Sequence, residues 1–242
     1  MSRNRRTLPL RLVVALMVVS GLASGTTITF VTPSGSATAD GSVNAMAVFS
    51  TGNGSLTLTL TDLLSNPASV GQLLSSVQFS LGSSLSGSAS MSSTANERTV
   101  NGDQSFTQGS SVSTGWALQI SGGSAIICVI CTNNGTPAPT ATPSHLIIGS
   151  GPYTNANGSI AGNKPHNAFL DESATFTISD STITSATVAS NVVFGFGTQF
   201  GSEVNAQPTA SETSVPETRT MLMIGSGLIL LGSLKRLQKS QL

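Results

Sequence analysis

An all-β body is what this sequence predicts: an antiparallel β-sandwich or jelly-roll-like domain with one short helix. A signal helix is expected before it and a transmembrane helix after it. Three observations carry the expectation. Apolar residues alternate with Ser and Thr in short runs, the period-two signature of a half-buried strand. Asn-Gly pairs beginning at Asn53, Asn101, Asn134 and Asn157 punctuate those runs with turns of positive φ. Both ends carry an apolar stretch next to Arg or Lys.

The chain opens with Arg3, Arg5, Arg6 and Arg11, then an apolar run over residues 12–19, then small residues over 20–25. This is the order of a secretory signal, assigned to residues 1–25, with Ala23 and Gly25 placed for a cut before Thr26. The apolar run is shorter than the roughly 20 residues a membrane span needs. The Ser/Thr/Gly-rich body is assigned to residues 26–200. Strands over 45–49 and 55–61 flank Gly52-Asn53-Gly54, a hairpin turn, and Leu56, Leu58 and Leu60 share one face. Asn66-Pro67 supplies an N-cap and a first-turn proline. Val70, Leu73, Leu74 and Val77 follow at helical spacing, which predicts a short helix over 67–75. Further strands are expected at 112–120, 125–130, 146–148, 175–178, 182–188 and 191–196. Many short strands without a fixed repeat favour a sandwich over a solenoid. Residues 201–214 are polar and read as a flexible linker.

Charge is sparse and segregated. Only 8 % of residues are charged, against about 25 % in an average soluble protein. Residues 26–214 hold Arg98 and Lys164 against nine acidic residues, a net charge of −7. Such a body lacks the basic footprint that phosphate requires, so no nucleic-acid partner is expected.

The C-terminal tail, residues 215–242, begins Val215-Pro216-Glu217-Thr218. An apolar, Gly/Leu-rich segment follows over 221–234, then Lys235, Arg236 and Lys239. The 14-residue segment makes about 21 Å of helix, short against a bilayer core of about 30 Å. The basic end stays cytoplasmic by the positive-inside rule, which puts the body outside. The tail resembles the PEP-CTERM sorting signal of Gram-negative bacteria, which combines a Val-Pro-Glu-Pro-like motif, a short apolar helix and a basic end. The resemblance implies that Val215, Pro216 and Glu217 are recognised by exosortase, and that Lys235, Arg236 and Lys239 anchor the tail. Thr218 stands where the family usually has a second proline. The Sec translocon, signal peptidase and exosortase are the partners this implies. The tail helix adds the membrane, and the family adds exopolysaccharide.

Candidate chemistry in the body is thin. Cys128 and Cys131 form a C-x-x-C; in an oxidising compartment a local disulfide is expected, with free thiols or a metal site as alternatives. His145 and His166 lack finger-like spacing to those cysteines, so no metal and no other cofactor is expected. Asp171, Glu172 and Asp180 include spacings that suit paired carboxylates of a glycosidase, but fit solvated strand ends better. Calcium at these residues and Asp103 lacks the usual loop spacing. Trp116 and Tyr153 suggest either a sugar platform or core, with core favoured for Trp116. Asn53, Asn134 and Asn157 open glycosylation-type sequons that Asn-Gly turns already explain. Thr57, Thr59 and Thr61 line one strand face. No nucleophile elbow or phosphate loop occurs, so no catalytic residues are assigned. The expectation is an exported structural or interaction protein of the cell surface or extracellular matrix, not an enzyme. The alternatives are a polysaccharide- or surface-ligand-binding module and a secreted hydrolase.

Overall fold

The strict alternation at residues 55–61 becomes a strand whose three leucines are fully buried. The structure, a computed structural model, describes residues 25–121, 123–131, 137–199 and 201–209. The expected signal, apart from Gly25, lies outside the described residues. So does the sorting tail with Val215, Pro216, Glu217, Lys235, Arg236 and Lys239. Among the described residues, no helix is long and apolar enough to cross a membrane.

The described chain is nearly all β. Its strands are β1 (Thr27–Val31), β2 (Ala37–Thr38), β3 (Gly41–Ser42), β4 (Ala45–Gly52), β5 (Ser55–Asp62), β6 (Leu74–Leu81), β7 (Ser90–Val100) and β8 (Phe106–Val112). They continue as β9 (Ala117–Ser121), β10 (Ser124–Cys128), β11 (Ile147–Ile148), β12 (Phe169–Asp171), β13 (Ser173–Ser179), β14 (Ala189–Phe196), β15 (Glu203–Asn205) and β16 (Gln207–Pro208). Fourteen of them join one mixed sheet, and β2 and β3 form a separate ribbon. One limb of the sheet runs β16-β1-β4-β5-β13-β7; the other runs β15-β14-β6-β10-β9. Strands β11 and β12, a parallel pair, join β6 to β7. The limbs share one core. Phe49 of β4 meets Phe79 of β6 edge-on with centroids 5.0 Å apart, and Trp116 lies 5.2 Å from Phe176 of β13.

Four expectations are corrected. The helix over 67–75 is a single 3-10 turn, Val70–Gln72, closed by a capping box between Ser69 and Gln72. Its apolar spacing misled because β6 is flanked on both sides and Leu74 to Val77 are buried on both faces. The strand expected over 112–120 is interrupted: β8 ends at Val112, Gly115 turns with φ +69°, and β9 starts at Ala117. Residues 182–188 are turns in which Ile183 N–H donates to Asp180 O and Thr187 N–H to Thr184 O. Part of the segment read as linker pairs with the sheet, β15 with β14 and β16 with β1; residues 210–214 lie outside the described residues.

Asp62 ends β5 and is only 2 % exposed. Its Oδ1 accepts the Leu64 N–H at 2.9 Å, and its Oδ2 is buried without a hydrogen-bond partner among the described residues. Burial pushes the carboxyl well above the usual carboxylate range, and the amides of Leu64, Leu74 and Gly149 oppose that without cancelling it. The folded state therefore holds this proton more tightly than the unfolded chain. The stability it contributes is full below about pH 4 and is lost as pH rises through the folded value. Asp62→Asn is expected to gain on the wild type as pH rises from 4 to 8. Denaturant unfolding at both pH values checks this; equal pH dependence in the two proteins contradicts it.

Candidate functional site

Polar side chains converge at β7. Arg98 faces Gln108 of β8 on one side and Phe169 of β12 on the other. It is 3 % exposed. Its Nη2 pairs with the Asp171 carboxylate and, at 3.3 Å, with Glu172 Oε1. Its Nη1 donates to Tyr153 Oη at 2.6 Å, and that hydroxyl donates to Gly149 O at 2.8 Å. Gln108 Nε2 donates to Asp171 Oδ2 at 2.6 Å. The Phe106 ring lies 4.7 Å from the guanidinium carbon and edge-on to Tyr153. Burial lowers the Arg98 pKa, but Tyr153, Asp171 and Glu172 outweigh it and hold the group above its ordinary value. Burial pushes the Tyr153 phenol up to about 12 against the pull of Arg98. Both carboxylates point at one guanidinium, so the cluster acts as a clamp between β7, β8 and the 149–172 segment.

The other expected residues are dispersed. Asp180 accepts from the N–H and hydroxyl of Thr182 and from both groups of Ser86, and the Thr182 N–H above all holds it near 2. Asp103 closes an exposed turn on Ser105, whose hydroxyl lowers its pKa. His145 stands with Nε2 3.0 Å from Glu97 Oε1 and Nδ1 2.9 Å from Thr114 O. His166 Nδ1 lies 3.0 Å from Ser159 O. No group of three or more potential metal ligands occurs among the described residues. Cys128 and Cys131 are joined in a disulfide at the end of β10. Asn157 Oδ1 accepts the Ser159 N–H within its own turn, Asn53 Oδ1 accepts the distant Ser185 N–H, and Asn134 lies outside the described residues. Tyr153 is fully buried, which removes it as an exposed sugar platform.

Two features form only once the chain is folded. The Thr57 row is extended by its neighbours: across the sheet, Thr27, Ser50, Thr57, Thr177 and Ser92 stand side by side. A pocket of about 510 Å³ opens between β7 and β9, lined by Met91, Trp116, Leu118, Ile120, Pro137 and Thr140 among others, all uncharged. Its Trp116 floor is pinned by an indole N–H bond to His145 O at 2.8 Å. The Pro137–Thr140 wall is held by Gln119 Nε2 donating to Pro137 O and by Thr140 N–H donating to Gly115 O.

No protein-family model matches this chain, and no curated protein or solved structure matches it. Sequence reasoning missed Arg98 as an organising residue. The available signal was that it is the only arginine between residues 26 and 214.

The cluster separates buried from exposed partners. Glu172 keeps 48 % of its side chain exposed, whereas Arg98 and Asp171 keep 4 % and 9 %. Arg98→Met leaves a buried carboxylate unpaired and is expected to cost about 3–5 kcal/mol. Tyr153→Phe is expected to cost about 1–3 kcal/mol, and Glu172→Gln at most about 1 kcal/mol. Chemical denaturation of the three variants tests the order; an Arg98→Met cost no larger than that of Glu172→Gln contradicts the clamp.

Proposed function

We propose that this chain is an exported protein of a Gram-negative envelope, sorted by exosortase. In this reading it serves as a non-catalytic structural or interaction protein of the cell surface or extracellular matrix. The observation that carries the reading is the tail, in which Val215-Pro216-Glu217, a Gly/Leu-rich apolar segment and a basic end follow in the order of the PEP-CTERM signal. The Arg-rich start followed by an apolar run and small residues supports the same destination. A Cys128–Cys131 disulfide suits an oxidising compartment.

We read the nearly all-β body as a β-sandwich in which the two limbs of the mixed sheet share one core, a form that fits the role. Its outer face presents hydroxyls rather than charges, as in the row from Thr27 to Ser92. Asp171 and Glu172 are committed to Arg98, and Asp180 to Ser86 and Thr182. That commitment weighs against the glycosidase form of the secreted-hydrolase alternative, which needs a free pair of carboxylates across a cleft, and does not bear on its Ser-His form.

The test is the intact mass and location of the protein in its host, with and without exosortase. A species starting near Thr26, ending near 216–218 and reaching the surface or medium only when exosortase is present is the expected result. A chain intact through Leu242 and held in the inner membrane in both strains overturns the sorting assignment.

A further inference from the structure

The disulfide between Cys128 and Cys131 closes the turn that follows β10. Its two sulfurs stand in different surroundings. Cys128 is fully buried: its main chain lies between Ala117 of β9 and Ser76 of β6, and its Sγ is 4.0 Å from Ala117 O. Cys131 is partly exposed. The bridge joins residues at a sequence separation of 3. A ring this small removes little entropy from the unfolded chain, so it does little to hold the whole fold. What it fixes is local. Strand β10 is already anchored by its pairing and by the Val129 N–H bond to Ser75 O. Beyond that point, Ile130 and Cys131 make no main-chain hydrogen bond among the described residues, and the bridge sets the course of the turn.

We infer that this disulfide is a thiol–disulfide exchange site whose state sets the rigidity of the pocket wall beside Trp116. The turn reaches the pocket on two sides. Val129 O accepts the Thr142 hydroxyl, and Thr140, two residues earlier, donates its N–H to Gly115 O and lines the pocket. Ala117, opposite Cys128, lines it as well.

The sulfur open to attack is Cys131 Sγ, because β9 and β6 enclose Cys128. The thiolate of an external dithiol bonds to Cys131 Sγ, and the Sγ–Sγ bond breaks. Cys128 leaves as a thiolate and takes up the proton that the dithiol gave up. The second thiol of the dithiol then displaces Cys131, which leaves as a thiol. The two electrons that reduce the bridge are those lost as the dithiol becomes its own disulfide. A protein disulfide of an oxidising compartment reverses the sequence. The pair ends a strand, without the helix N-terminus that activates a thiolate, so it receives exchange and does not act as an oxidoreductase. The site rests on the fold and not on the export reading, so the failure of either leaves the other standing.

The purified full chain in detergent is treated with dithiothreitol without denaturant, alkylated with iodoacetamide and weighed. Amide hydrogen exchange is followed over residues 114–117 and 137–142, with 56–60 of β5 as the control. Trp116, the only tryptophan in the chain, reports through its quenching by acrylamide. The expected result is alkylation of both cysteines in the folded protein. Exchange over 114–117 and 137–142 should rise at least about tenfold while 56–60 stay protected. Quenching of Trp116 should rise with it, and oxidised glutathione should restore both. Reduced glutathione, a single thiol trapped by acid, should be found on Cys131. The inference is overturned by alkylation that needs unfolding, by an unchanged wall and Trp116 in the reduced protein, or by glutathione captured on Cys128. Loss of protection at 56–60 together with the wall also overturns it, since the bridge is then a staple of the whole fold. None of these arms needs a variant, so none depends on a substitution that fails to fold.

Discussion

The sheet depends on the place where one limb becomes the other, and Arg98 holds that place. Strand β7 pairs successively with β13 and β12 on one side and with β8 on the other. Between β12 and β13 stands Glu172, at φ +60°, the single residue that lets the chain pass from one pairing to the next. Its carboxylate and that of Asp171 both reach Arg98. A buried cation is costly unless its charge and donors are met. Here the charge and the two terminal nitrogens are met by Asp171, Glu172 and Tyr153, with Gln108 of β8 bracing Asp171, while Nε has no partner among the described residues, so one guanidinium ties three segments together.

Asp62 shows the opposite solution to the same problem. It also ends a strand in the core, but among the described residues no cation pairs with it, and burial favours the neutral acid. Arg98 and Asp62 thus divide the interior into a paired charge and an unpaired proton carrier. Both are consistent with a body in which basic residues are almost absent: a single arginine cannot serve two sites.

Local chemistry made some elements legible. Leu56, Leu58 and Leu60 alternate with threonine because β5 has one face on the core, and Gly52-Asn53-Gly54 turns the chain where Asn-Gly turns are favoured. The errors have physical causes too. Strand β6 is buried on both faces over Leu74–Val77, so Leu74 and Val77 fall on opposite faces and, with Val70 and Leu73 before them, imitate a helical spacing, although Val77, Phe79 and Leu81 keep the period of two. Residues 182–188 have β-branched side chains, yet Thr182, Thr184 and Thr187 spend their hydroxyls on turn contacts instead of a strand surface. Within the Arg98 cluster, Phe106 and Gln108 arrive through the neighbouring β7–β8 pairing, but Tyr153, Asp171 and Glu172 arrive only once β12 has returned to pair with β7, and no local pattern encodes such a contact.

The pocket beside Trp116 follows from how the chain leaves β7. Beyond Val112 the segment continues alongside β7, where Thr114 Oγ1 lies 2.7 Å from Ser93 Oγ, and then turns away at Gly115. A Cβ at Gly115 would stand 2.7 Å from Ala141 Cβ, so only glycine lets the 140–141 wall approach this closely, and its positive φ makes the turn. His145 then locks the arrangement, its ring between Thr114 O and Glu97 and its carbonyl on the Trp116 indole. The departure carries β9 into the other limb, where it pairs with β10. A segment fixed by that many buried contacts has no cheap way to move, so the Gly115 turn, the 140–141 wall and the Trp116 floor hold one another in place.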